Sequence, residues 1–339
     1  MARIWMSGFE AGSKDVFDSG NAVIATTKAR TGSYAGYVKE TYFQQGIMPR
    51  SELYIRLGLY MTGGSTRAGT VNWGFLQALD SGGNAHLTFA VNRNSQMLQV
   101  IRGTSAGTLL GSGSVVAANT WYCYEVRVVI DDVYGVVQVK RDGTLDIDLV
   151  GTEEAPLDTR NAGNGDIGTI RFGSHDAVNG LVGYLDDIAI NDTTGSVNNS
   201  WPGRGGIYPM IPSGAGTLTQ FTPDSGDNHA RVSDVPPDDD TSYVESAVLD
   251  TSDLYATAGV TPTDGTVSAV QWLARAKLTD SGEGNLRRLV RHDGSNYAGD
   301  DQGLDTSYRY VSEIMEEAPD ETEWTLSKVN ALEIGQQVG

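Results

Sequence analysis

A chain of 339 residues with 39% hydrophobic content, 42 glycines and 10 prolines is long enough for two domains or one large sandwich. Its single cysteine excludes an internal disulfide framework, and its net charge of −19 argues against generic nucleic-acid binding, because an acidic surface repels phosphate backbones. The charge is uneven: 16 Lys+Arg against 20 Asp+Glu through Arg204 (−4), and 8 against 23 from Gly205 onward (−15).

In chain order, "ARIWMSGFE", "SELYIRLGLYM", "VNWGFLQAL", "AHLTFAVNR", "MLQVIRG", "WYCYEVRVVI", "GVVQVKRDGTLDIDLVG", "IGTIRFGS" and "LVGYLDDIAIND" read as short strands, because apolar residues alternate with a period of two. In the second of these, Leu53, Ile55, Leu57 and Leu59 share one face, and Tyr54, Arg56 and Tyr60 the other. "RDGT" at 141–144 is a hairpin signal, since Asp-Gly accepts the positive φ of a two-residue turn; "DSGG" at 80–83 and "VNRNSQ" at 91–96 are further turns. In the last run Tyr184, Ile188 and Ile190 fall on one parity, and Leu185, Asp187 and Ala189 on the other.

A polar stretch, "NDTTGSVNNSWPG", then leads to a second β-rich segment. There Val270, Trp272, Ala274, Ala276 and Leu278 form one apolar face, and "HDGSN" at 292–296 is hairpin-like. The "PPDDD" run at 236–240 reads as an exposed turn. One helix is predicted at 325–335, with Thr325 as N-cap and Gly335 as terminator. The expected organisation is all-β: a sandwich over 1–200, a linker over 201–212, and an acidic β-rich domain over 213–339 with a short C-terminal helix.

Catalytic constellations are absent from the pattern. The carboxylates nearest to a retaining-glycosidase arrangement are Asp146 and Asp148, with Glu153 displaced beyond a glycine. No G-x-S-x-G elbow occurs, and His86, His175, His229 and His292 are scattered; His292 beside Asp293 reads as a solvated turn. Cys123, inside a strand, reads as a small buried residue. No transition-metal spacing, EF-hand loop or phosphate-cradling glycine loop appears. The expectation is a protein that is not an enzyme, with no catalytic, cofactor-binding or metal residue assigned.

The acidic pair Asp186-Asp187 inside an apolar strand is the chief anomaly, because strands are depleted in charge. Calcium is one alternative, with Glu10 as a neighbour if the first and last strands pair. The favoured alternative is structural: one Asp accepts backbone N–H bonds and the other faces water.

The segments "IWMSGFEAG", "WYCYEVRVVI", "GVVQVKRDGTLDIDLVGT" and "GYLDDIAIND" resemble a concanavalin A-like, laminin-G-type jelly roll, whose closing strand often carries such an acidic pair. The remainder resembles a C-terminal region of tailed-bacteriophage structural proteins, through Trp201 with Pro202, the run Asp240-Thr241-Ser242-Tyr243-Val244, and Trp324 with Asn330-Ala331-Leu332-Glu333.

That resemblance implies a virion structural protein of tail or head (capsid), partnered by other virion proteins, forming a homo-oligomer and folded in the host cytoplasm. The chain opens without a basic segment followed by an apolar one, and no run reaches the ~18 residues of a membrane span, so no membrane insertion is expected. Tyr54 and Tyr60 are candidate interface residues. The alternative is a carbohydrate-binding, lectin-like module or adhesin that contacts a host-surface glycan, with Trp73 or Trp5 as a platform unless these lie in the core.

Overall fold

The structure, a computed structural model, describes residues 2–63, 72–161, 163–173 and 182–339. Two compact units emerge: one joins the segment up to Glu10 with Val16–Ile207, the other joins Ala11–Asp15 with Tyr208–Gly339. The described residues are all-β apart from short helical turns.

The long strands of the first unit are β1 (Arg3–Ser7), β2 (Ala35–Val38), β3 (Tyr42–Arg50), β4 (Glu52–Met61), β5 (Asn72–Leu79), β6 (Ala85–Asn92), β7 (Met97–Arg102), β8 (Thr108–Val115), β9 (Trp121–Val129), β10 (Val136–Arg141), β11 (Thr144–Val150), β12 (Ile167–Gly173) and β13 (Gly183–Asn191). One antiparallel sheet runs β11-β10-β9-β4-β13-β2 and continues into Val23–Ala25, with β1 also paired to β13. The other runs β8-β7-β6-β5-β12-β3 and continues into Ser19–Gly20.

Alternation decides which side chains fill the space between these sheets. Leu53, Ile55, Leu57 and Leu59 enter from the first sheet, and Trp73, Phe75, Phe89 and Phe172 from the second; all are buried in one core. Phe75 meets Tyr124 with ring centroids 5.8 Å apart. Each such side chain contributes about 1.5–3 kcal/mol on full burial, so this jelly-roll-like sandwich is held by its interior and not by its edges. The predicted "RDGT" hairpin forms, with Asp142 and Gly143 at φ 51° and 84°, as a two-residue turn of this hand requires.

The second unit contains β14 (Pro212–Thr219), β15 (Ser252–Thr257), β16 (Val270–Ala276), β17 (Asn285–His292), β18 (Ser295–Ala298), β19 (Arg309–Met315) and β20 (Glu333–Val338), with short helices α1 (Asn228–Arg231) and α2 (Leu326–Asn330). Its main sheet runs β14-β15-β20-β17-β18, and β16 pairs with β19 as a separate ribbon. Trp324 is buried with Val290, Met315, Val329 and Leu332, and its indole N–H donates to the Met315 carbonyl at 3.0 Å. The "PPDDD" turn holds two ion pairs: Arg275 with Asp239 and Lys277 with Asp240.

The C-terminal helix is shorter than its sequence pattern. Thr325 caps it as expected, its hydroxyl accepting from the Lys328 N–H at 3.2 Å, but the helix ends at Asn330. Gly335 terminates nothing; it sits inside β20, opposite Leu254 on one side and Leu289 on the other. The main chain of 333–338 hydrogen-bonds to two neighbouring strands, which outweighs a helical continuation seen in apolar spacing alone. A Cβ on Gly335 would collide with the main-chain carbonyl of Asp253. Gly335→Ala is therefore expected to cost the second unit about 1–3 kcal/mol in denaturant unfolding. An unchanged midpoint would show that this strand contact is looser than the geometry indicates.

Candidate functional site

The acidic pair lies where β13 changes phase. Asp186 is opposite Gly58 and Ala189 opposite Arg56, so β13 carries an extra residue there, and Asp187 adopts φ 53°. Such a β-bulge turns the strand by one position. Leu185, Ile188 and Ile190 consequently all reach the core, which simple alternation from the sequence could not place together. Both aspartates turn to the outer face, yet both are fully buried.

Residues 30–31 and 203–207 account for that burial. The Asp186 carboxylate accepts from the Arg30 N–H at 2.7 Å, the Thr31 N–H at 3.2 Å and the Asp187 N–H at 2.7 Å. Asp187 accepts from the Arg30 guanidinium, the Thr31 hydroxyl and the Ile207 N–H. Arg56, 3% exposed, donates to the Asp187 carbonyl at 2.9 Å. The expectation that one aspartate faces water is thus corrected: backbone N–H groups replace solvent for Asp186, and the Arg30 guanidinium, the Thr31 hydroxyl and the Ile207 N–H replace it for Asp187.

β1 does pair with β13, and Glu10 follows it, but Glu10 accepts from the Ser33 and Tyr34 N–H groups. A calcium ion at the pair would have to displace the Arg30 guanidinium.

Burial, and then the charge of Asp187, push the Asp186 carboxyl up to about 8 from its ordinary 3.8, against the pull of its three N–H bonds. The folded chain then keeps a proton that the unfolded chain has released. The resulting stabilisation is full below about pH 4 and is lost as pH rises toward about 8. Asp186→Asn is expected to flatten the fall in unfolding free energy across that window. An identical slope in the variant would remove this assignment.

The other residues singled out by sequence are dispersed. Trp73 is 1% exposed inside the core, and half-buried Trp5 packs on Phe17 at 4.9 Å, so neither is a platform. Tyr54 and Tyr60 do lie on the outer face, but both are buried: Tyr54 beside Trp201 at 5.5 Å, and Tyr60 between Tyr184 at 5.9 Å and Trp121 at 5.5 Å. Trp201 itself lies under the Lys140 ammonium at 3.8 Å.

Cys123 is buried, and burial pushes its thiol pKa up, away from nucleophilic use. Asp146 is a bulged residue bound to the Ser114 N–H, Asp148 accepts from Gln138, and Glu153 is exposed. His86 is fully buried, with Nδ1 accepting from the Asn161 N–H at 3.2 Å. His229 lies on α1, His292 ends β17, and His175 lies outside the described residues.

The candidate site that the sequence did not reveal crosses the outer face of the second sheet. Register places Thr88 opposite Gln77, Gln77 opposite Arg171, and Arg171 opposite Gln44. These four side chains form one hydrogen-bonded row. Gln77 Nε2 donates to the Thr88 hydroxyl at 3.0 Å, which donates to the Gly103 carbonyl at 2.6 Å. Arg171 donates to Gln77 Oε1 at 3.2 Å and to Gln44 Oε1 at 3.0 and 3.3 Å. Its guanidinium also lies over the Tyr42 ring, 4.5 Å from the centroid.

Thr88 and Gln77 are buried while Arg171 and Gln44 are half-buried, so the row meets solvent through its Arg171–Gln44 end; its four residues include no carboxylate and no lysine. Planar amide and guanidinium groups locked by one another are preorganised, which lowers the entropy lost on binding. The four residues lie on four different strands and no local motif joins them. Only a correct strand order would have found them.

No protein-family model matches the chain, and no curated protein matches its sequence. Solved structures do show likenesses. "Cellulose induced protein, Cip1" is 16% identical, over 59% of this chain and 100% of that one, with a TM-score of 0.44. Carbohydrate binding module CBM66 from Bacillus subtilis is 11% identical, over 51% and 92%, at 0.34. The binding domain of botulinum neurotoxin DC, in complex with SialylT, is 10% identical, over 83% and 67%, at 0.36. At these scores the likenesses carry no argument, and the functional case rests on the side chains.

Proposed function

We propose that the first unit is a glycan-binding β-sandwich that holds its ligand without breaking bonds. The observation that carries this reading is the interlocked Thr88–Gln77–Arg171–Gln44 row with Tyr42 under the guanidinium. Sugars offer vicinal hydroxyls that both donate and accept, which fixed amide and guanidinium edges can match. A row without a carboxylate lacks the acid and nucleophile of retaining hydrolysis.

Virion placement, drawn from the C-terminal resemblance, has less behind it. Trp201 and Trp324, which carry part of that resemblance, serve packing within the chain. An adhesin on a larger particle is compatible with glycan binding, and oligomer formation with other copies belongs to that same proposal.

The test is a glycan array spanning neutral and acidic saccharides, followed by calorimetry on the best binder and a search for new reducing or unsaturated ends. Binding without product formation supports the proposal. An array with no binder above background, or turnover of the ligand, rejects it.

A further inference from the structure

We propose that the second unit carries a zinc site at the tip of the β17–β18 hairpin, formed by His292, Asp293 and Asp320. One ligand atom from each lies within 4.8 Å of the others. The spacing is set by two tight turns. His292 is paired with Ser295 across Asp293 and Gly294, at φ 47° and 81°, a two-residue turn that places the Asp293 carboxylate beside the imidazole. Asp320 comes from the turn ahead of α2, where the Ala318 N–H donates to the Thr322 carbonyl at 2.9 Å and the Thr322 hydroxyl donates to Asp320 Oδ1 at 2.7 Å.

The independent observation is the imidazole itself. His292 is 3% exposed, its Nδ1 has no hydrogen-bond partner among the described residues, and that nitrogen stands 3.8 Å from Asp293 Oδ2. A hydrogen bond does not span such a gap. Nitrogen and oxygen ligands on one tetrahedral zinc ion, with bonds of about 2.0–2.2 Å, stand roughly 3.4 Å apart. A small rotation of the exposed Asp293 side chain closes the difference.

The cluster already attracts a cation. The Lys328 ammonium contacts the two Asp320 oxygens at 3.0 and 2.7 Å, and also contacts the Thr322 hydroxyl. A divalent ion at the site displaces this ammonium from Asp320. The imidazole ligand favours Zn²⁺ over Ca²⁺, and a histidine with two carboxylates leaves a fourth position for water. Bound metal would tie the hairpin tip to the turn before α2.

The experiment is titration of the chelator-treated full chain with ZnCl₂ by calorimetry, with thermal unfolding of the second unit as a second readout. Zinc is expected to bind once and to raise the second unit's unfolding temperature. His292→Gln should weaken binding by about tenfold or more, as should Asp293→Asn and Asp320→Asn, whose exposed positions spare the fold. Lys328→Met should tighten it by about threefold, the order of one exposed ion pair. Absence of zinc binding by the wild type, response to Ca²⁺ alone, or unchanged affinity in both aspartate variants overturns the proposal. Glycan binding by the first unit is scored separately and does not bear on this outcome.

Discussion

Asp187→Ala is expected to destabilise the first unit by about 3–5 kcal/mol, because it removes one member of a buried charge pair and leaves the other without its partner. Three donors lose their acceptor together: the Arg30 guanidinium, the Thr31 hydroxyl and the Ile207 N–H. Burial disfavours the Arg30 charge, and Asp187 more than offsets this, leaving the Arg30 pKa above its ordinary value. The backbone adds a smaller effect, since φ 53° suits Asp or Asn better than Ala.

Asp187→Asn separates the contributions. It keeps the backbone preference and an acceptor oxygen but loses the charge, so its cost should be clearly below that of Ala. Calorimetric unfolding of the first unit measures both variants. A loss below about 1 kcal/mol for Asp187→Ala would place the pair among weak surface contacts.

Arg171→Ala is expected to weaken glycan affinity by about tenfold to a hundredfold, matching a hydrogen bond from a charged donor worth roughly 1.5–3 kcal/mol. The side chain joins Gln44 to Gln77 and covers Tyr42, so its removal also frees both amides to rotate. Arg171→Lys should not rescue, because an ammonium cannot span two amides as a planar fork does. Tyr184→Ala, on the outer face of the opposite sheet, serves as control and should leave affinity unchanged. If Arg171→Ala binds normally and Tyr184→Ala does not, the glycan site lies on the first sheet and not on the second.

Local signals were enough for much of the fold. The period-two runs predicted the core face of β4 and the half-buried face of β16 around Trp272, though Leu278 falls beyond that strand; Asp-Gly located the 142–143 turn, and Thr325 marked a helix start. Each is decided by a few neighbouring residues, which is why it is legible in one chain.

Three features were decided by partners distant in sequence. Gly335 became strand and not helix terminus because β15 and β17 hydrogen-bond on either side of it. The phase of β13 depended on a bulge against β4, which sent Leu185 and Ile188 to one face and buried both aspartates under residues 30–31 and 203–207. The polar row on Thr88, Gln77, Arg171 and Gln44 depends on strand order, since β12 inserts between β3 and β5. Side-chain alternation belongs to the strand and can be read along it, whereas what stands beside a residue belongs to the sheet and exists only once the chain has folded.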